Sequence, residues 1–189
     1  MLLDGDAEGG EAHWLWQVNG GDWFEGLEAA SAERTVKQIA ALPYVIEVDL
    51  GEGRYAGLVH GQMPRMDWPD LRTALQATPW DAELPATLLW ARDSAEEIKR
   101  RAGGARPFVS VTVPGVDVVY HGHTPMPQPL AAANTRWLDT GAFMGRTLSI
   151  AELAVDGQVW SLAANLRDIS EGWMWLDAGP ERATGSARG

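Results

Sequence analysis

The chain contains four histidines, His13, His60, His121 and His123, and no cysteine. Imidazole is the commonest neutral metal ligand. The absence of thiols removes disulfides, thiolate nucleophiles and cysteine-ligated zinc or iron–sulfur centres. Two of the histidines share a setting. His60 follows the apolar Leu58-Val59 and precedes Gly61, while His123 follows the run Val118-Val119-Tyr120 and sits directly after Gly122. Ligands of layered α/β folds bind outside the carboxyl ends of strands. A glycine there lets the backbone turn sharply and lets a metal or phosphate come close. His60 and His123 are therefore candidate ligands of one metal centre. A single strand-end histidine is more often an ordinary hydrogen-bonded residue, and their separation along the chain carries no information by itself. His121 reads as a structural residue, or else one that orients a ligand.

The elements that must position these residues follow from periodicity and breakers. Residues 1–13 are acidic and Gly-rich and read as a loop or frayed helix end. A Trp-rich stretch, 14–23, contains the breaker Asn19-Gly20-Gly21, and its tryptophans are expected to be core. Residues 31–42 read as a helix with Val36, Ile39 and Ala40 on one face, stopped by Pro43. Residues 44–50 alternate like a strand, Gly51-Glu52-Gly53 is a turn, and 54–59 complete a hairpin that delivers His60. Four prolines in 64–87 allow only short helices, and 86–92 is a short apolar helical segment. Ser94-Ala95-Glu96-Glu97 has the capping-box pattern. Lys99, Arg100 and Arg101 then fall in the last turn of a helix ended by Gly103-Gly104.

The last third is strand-rich. Residues 108–113, 116–120 and 134–138 read as strands. Residues 147–155 and 158–163 flank Asp156-Gly157, a type I′ hairpin signal. Residues 177–189 are expected to form a disordered tail. The mixture of strands and short helices argues an α/β or α+β fold.

Composition narrows the function. The chain has 189 residues, 46% of them hydrophobic, which suits a single globular domain with a short tail. Acidic residues outnumber basic ones 26 to 15, a net charge of −11, so no nucleic-acid binding is expected. No run of 18 apolar residues is present, so no membrane partner is expected. The first 33 residues lack Lys and Arg, so a signal with a basic n-region is not expected and the cytoplasm is the default compartment. All but two of the basic residues are Arg, the better residue for clamping phosphate.

Residues 117–150 contain Tyr120-His-Gly-His-Thr-Pro125, then Asn134, then Leu138-Asp-Thr-Gly-Ala142, then Gly145 and Leu148. This block resembles the C-terminal signature of the calcineurin-like metallophosphoesterases, in the branch of phage-lambda-type and bacterial Ser/Thr protein phosphatases. Val59-His60-Gly61 resembles the family's V-H-A-G, with Gly for Ala and Gln62 for Gly. Leu88-Leu89-Trp90-Ala91-Arg92 resembles its L-W-x-R. Asn19-Gly20-Gly21 and the Trp cluster resemble the stretch after its G-N-H-E motif. The resemblance covers residues 1–165.

The resemblance implies part of a β-sandwich flanked by helices, over residues 1–176, and a phosphoesterase using a two-metal-activated hydroxide. His123 would be a ligand of the first metal and His60 of the second, with Arg92 as the phosphate clamp. Thr124 and Asp139 would order loops. The metals would be two divalent ions, manganese first, with iron or zinc as alternatives. The substrate would be a phosphoprotein or a small phosphate ester. Three family motifs, G-D-x-H-G, G-D-x-x-D-R-G and G-N-H-E/D, are absent. Gly5-Asp6-Ala7-Glu8-Gly9 mimics the first, but Glu8 stands where a His is needed. The expectation is therefore a C-terminal portion whose Met1 is internal to a longer reading frame. Such a fragment would be inactive alone, and its metals would bind only once the missing ligands are supplied. The alternatives are a non-catalytic remnant or interaction module, and a diadenosine-polyphosphate-type hydrolase. A two-His oxygenase-type site is weaker, because no acidic partner is identified.

Overall fold

A computed structural model of the chain describes residues 10–77, 83–102, 111–163 and 169–175. It divides into two units, Met1–Pro43 and Tyr44–Gly189. The first unit opens with α1 (Glu11–Trp16), which runs through a wide turn at 17–21 and a tight one at 22–26 into α2 (Ala29–Ala40). The break falls at Gly20, whose φ is +84°, a conformation that favours glycine. Gly21 has no room for a Cβ, which would fall 2.1 Å from the Trp16 indole. Trp16 and Trp23 both pack edge-on against Phe24. The tryptophans nevertheless depart from the expected core. Trp14 is 61% and Trp23 53% exposed. On α2, Val36 is half-buried while Ile39 and Ala40 are exposed.

The second unit begins with the expected hairpin, β1 (Val45–Gly51) against β2 (Arg54–Val59). Glu52 and Gly53 both take positive φ, 57° and 73°. Two such residues form the turn whose twist matches paired strands. Gly57 is needed for a different reason, because the Trp68 ring lies where its Cβ would be. That indole is fully buried and donates its N–H to Glu47 at 2.5 Å.

Three helices follow, α3 (Trp68–Gln76), α4 (Glu83–Trp90) and α5 (Asp93–Ala102). Then come β3 (Val118–His121), β4 (Leu130–Ala132) and β5 (Thr135–Trp137). The chain continues through β6 (Thr147–Ala151), β7 (Val159–Ala163), β8 (Ile169–Glu171) and β9 (Met174–Trp175). Six strands form one mixed sheet in the order β1-β2-β3-β5-β4-β9, and three form a second, β6-β7-β8. β2, β3 and β5 run parallel at the centre.

The period of two along β2 and β3 sorts their side chains between layers. Val59 and Val119 face α3 and α4, packing with Trp68, Leu71, Leu84 and Leu88. Leu130, Ala132 and Trp137 meet Ala95 and Ile98 of α5. Ala56, Val118 and Tyr120 take the opposite face, with Ala151 and Trp173. There the Tyr120 hydroxyl donates to the Ala154 carbonyl at 2.7 Å. Helices on one face and a second sheet on the other make the fold α+β, as the alternation of strands and short helices indicated. Each fully buried Leu or Val contributes roughly 1.5–3 kcal/mol, and Val59, the last residue of β2, belongs to this core.

Four local readings change. α5 starts at Asp93, one residue before Ser94, and no capping box forms. The Ser94 N–H is taken by Gln62 Oε1 at 2.9 Å, and Glu97 is drawn forward to Arg100 and Arg101. The β6–β7 connection spans 152–158, longer than a two-residue turn at Asp156-Gly157. Gly157 is there for room, since its Cβ would fall 2.3 Å from the Glu152 carbonyl oxygen. β4 is an additional strand. Of the strand read over 108–113, residues 108–110 lie outside the described residues and 111–113 are not part of a strand. The segments 1–9, 103–104 and 177–189 also lie outside them. No helix among the described residues is long and apolar enough to cross a membrane.

Candidate functional site

β2 and β3 are parallel, with Val59 beside His121. Their carboxyl ends therefore leave the sheet at the same edge, and the residues that follow emerge side by side. The Gly122 N–H donates to the His60 carbonyl at 3.0 Å, tying the two exits together. The Gly61 N–H donates to the Leu88 carbonyl at 2.6 Å. A Cβ on Gly61 would lie 2.9 Å from the Leu89 backbone, so only glycine lets this loop approach the end of α4 so closely. His123 itself adopts φ +62°, unusual outside glycine. Strain of that kind persists only where surrounding contacts hold it, and it concentrates at functional sites.

The outcome is that His60 and His123 meet, with ring centroids 4.9 Å apart and planes at 52°. The edge of Trp90, from the end of α4, contacts the His123 ring at a centroid distance of 5.6 Å. Arg92 lies in the connection between α4 and α5, and its Nε–H donates to His123 Nε2 at 3.2 Å. An arginine N–H can only donate, so Nε2 is the unprotonated nitrogen. The Trp90 main chain also acts on this ring, opposing the lowering of its pKa. Partial burial, then the charges of Arg92 and His60, push the His123 pKa below its ordinary value, which favours the neutral ring.

His121 ends β3, two residues before His123. It is buried, stacks on Trp137 with planes at 17°, and approaches the Gly61 carbonyl through Nδ1 at 3.2 Å. A carbonyl only accepts, so Nδ1 carries the proton. Burial pushes the His121 pKa down to about 4, against the smaller opposing effect of that bond. The ring also lines a cleft of about 780 Å³ together with Gln62, Arg65, Ser94 and Trp137. Thr124 is buried and its N–H donates to the Gly122 carbonyl. Asp139 accepts the Gly141 N–H at 2.8 Å, which makes it a turn-former. Asn134 bridges Val113 and Val116 through three bonds of its amide and so fixes the approach to β3. His13, in the first unit, pairs with Glu25.

Sequence reasoning brought out the two imidazoles and Arg92 but assigned no role to Trp90, Gln62 or the Gly122 N–H. The Trp90 signal was its place two residues before Arg92. Nothing local marked Gln62, whose partner is 32 positions away. Chemically, a neutral imidazole with an exposed acceptor nitrogen can hold a cation, and a guanidinium beside it can bind an oxyanion. Among the described residues, no cluster of three or more histidines and carboxylates suited to a metal ion is present.

Comparison with known proteins gives a consistent direction. No family model matches the chain. It is 28% identical over 152 residues to a protein named serine/threonine-protein phosphatase 1 from Salmonella typhimurium, covering 78% of this chain and 60% of that relative. It is 23% identical over 143 residues to serine/threonine-protein phosphatase 2 of the same organism, covering 74% and 57% respectively. The chain thus spans somewhat over half the length of the curated relatives it matches.

Proposed function

We propose that the second unit carries part of the active centre of a metal-dependent phosphoesterase that hydrolyses phosphomonoesters, on the pattern of Ser/Thr protein phosphatases. The observation that carries this reading is the convergence of His60, His123 and Arg92 at one sheet edge. The donor chemistry suits a divalent ion. Two adjacent imidazoles, one with its acceptor nitrogen already facing a cation, are donors of the type that zinc or iron takes, while manganese would draw on oxygen ligands as well. They are only part of a donor set, and on this reading the other ligands come from outside the described residues. Divalent ions at such a centre supply an activated water and neutralise phosphoryl oxygens. This chain's own residues do the rest. His60 and His123 would hold the ions, Arg92 would bind and orient the phosphoryl group through its planar donors, and Trp90 walls one side of His123. The substrate on this reading is a phosphoprotein, or a small phosphate ester.

The test is hydrolysis of p-nitrophenyl phosphate with Mn2+, by this chain and by a form extended upstream with the three metal-binding motifs. This chain alone should be nearly inactive. The extended form should turn over, and His60→Ala or His123→Ala should lower its rate by at least about a hundredfold, the scale on which ligand-shell changes act. Turnover that survives both substitutions would refute the assignment. An inert extended form would instead favour an interaction module, the second reading, which gains from the lack of a third donor among the described residues.

A further inference from the structure

We propose that the cleft lined by Gln62, Met63, Ser94, Val113, His121 and Trp137 is a peptide subsite, which receives the uncharged residues flanking the phosphorylated side chain of a protein substrate. The inference rests on the phosphoesterase reading and names the substrate class, a phosphopeptide with apolar neighbours rather than a small phosphate ester. The cleft has a volume of about 780 Å³, within the range of ligand sites. It adjoins the candidate centre along each of the three segments that build that centre. Gln62 is two residues beyond His60, Ser94 two beyond Arg92, and His121 two before His123. Consecutive Cα atoms are about 3.8 Å apart, so each of these lining residues lies within about 7.6 Å of its neighbour in the centre. That is the reach of two or three residues of an extended peptide whose phosphate is held at Arg92.

The wall has the chemistry of a peptide site. Three arginines and three carboxylates line it, so it is electrically balanced within a chain of net charge −11, and it favours an uncharged ligand. Met63, Val113 and Trp137 offer apolar contact, and a thioether adapts to side chains of different shape. The polar groups supply one acceptor and one donor. His121 is buried and spends its Nδ1 proton on the Gly61 carbonyl, so Nε2 is an acceptor, and no described residue donates to it. Gln62 accepts the Ser94 N–H through Oε1 at 2.9 Å, so its amide nitrogen is a donor, and no described residue accepts from it. A peptide unit carries one N–H and one C=O and complements this pair. A simple aryl or alkyl phosphate does not.

The experiment titrates the 189-residue chain with four probes, read by NMR at the His121 ring nitrogens and the Gln62 side-chain amide. The probes are a phosphoserine heptapeptide with leucines on both sides of the phosphoserine, its unphosphorylated form, the same phosphopeptide with glutamates in place of the leucines, and phenyl phosphate. The leucine phosphopeptide should shift both signals and bind at least about tenfold tighter than the glutamate one, the scale of burying a single leucine. Phenyl phosphate should leave both signals in place. Gln62→Glu keeps the acceptor for Ser94 and removes the donor, and should weaken the leucine phosphopeptide about fivefold, the scale of one hydrogen bond. A leucine phosphopeptide that shifts the Arg92 guanidinium signal but neither cleft signal overturns the subsite and leaves the phosphoesterase reading standing. Equal affinity for the unphosphorylated peptide, with both cleft signals shifted, supports the subsite and counts against the phosphoesterase reading. Binding of none of the probes overturns the proposal.

Discussion

The two strand exits that deliver the histidines solve the same problem in opposite ways. After β2 the histidine comes first and the glycine second. His60 is exposed, and the precision lies in Gly61, wedged against the carbonyl end of α4. After β3 the glycine comes first. Gly122 has ordinary space around its Cβ position, the nearest atom being 3.5 Å away, and the precision lies in His123 itself, held at φ +62° by Trp90 and Arg92. One loop is shaped by a missing side chain and the other by a strained one. His121 joins them, since it belongs to the second exit but bonds the first. The difference teaches that a matching His–Gly pair in a sequence does not imply matching roles for the glycine.

The sharpest way to break this picture is through His121. Its folded pKa, about 4, lies below the ordinary 6.5. Above pH 6.5 the ring is neutral in both folded and unfolded chains and contributes no pH dependence. Between about 6.5 and 4 the unfolded chain takes up a proton that the folded chain refuses, so stability falls as pH falls. The full loss is on the order of 3 kcal/mol. His121→Asn, which can still donate to Gly61 but does not titrate there, should flatten this part of the profile. Urea denaturation at pH 7 and pH 4.5 checks it, and parallel wild-type and variant profiles would show that His121 is not buried as described. The next largest contrast is between the glycines. Gly61→Ala should destabilise by about 1–3 kcal/mol through overpacking against backbone. Gly122→Ala should stay within about 0.5 kcal/mol, as changes away from special features do. Equal melting temperatures for the two would erase the distinction between the loops. The smallest effect concerns strain. His123→Gly should be more stable than His123→Ala by roughly 1 kcal/mol, because glycine takes positive φ freely. Calorimetry of the pair measures it, and a more stable alanine variant would mean that the strained conformation is absent.

Much of the local structure that places these residues was legible in advance for reasons that are local. The β1–β2 hairpin announces itself because Glu52-Gly53 can take two positive φ values, and the alternation on either side sets the register that ends at His60. The cationic last turn of α5 was equally plain. What escaped depends on partners far along the chain. Ser94 looked like a cap, but a glutamine from the first histidine loop takes its N–H first. Asp156-Gly157 looked like a tight turn, yet the glycine serves a close approach to Glu152. β4, three residues long, is too short to show a period and exists because β5 and β9 flank it. Trp14 and Trp23 were read as core from their type alone, and no sequence pattern distinguishes a buried indole from an exposed one.

The parallel register of Val59 with His121 also carries a kinetic meaning. The hairpin before it joins neighbours across two residues, an event that takes microseconds. Bringing the two histidines together requires closure of a far longer loop, and that entropy must be met before any contact rewards it. The pairing of His60 with His123 is therefore expected among the last contacts of the second unit to form, well after the hairpin. Stopped-flow refolding in which the Trp90–His123 contact appears only after hairpin amide protection would display that order, and simultaneous appearance would contradict it.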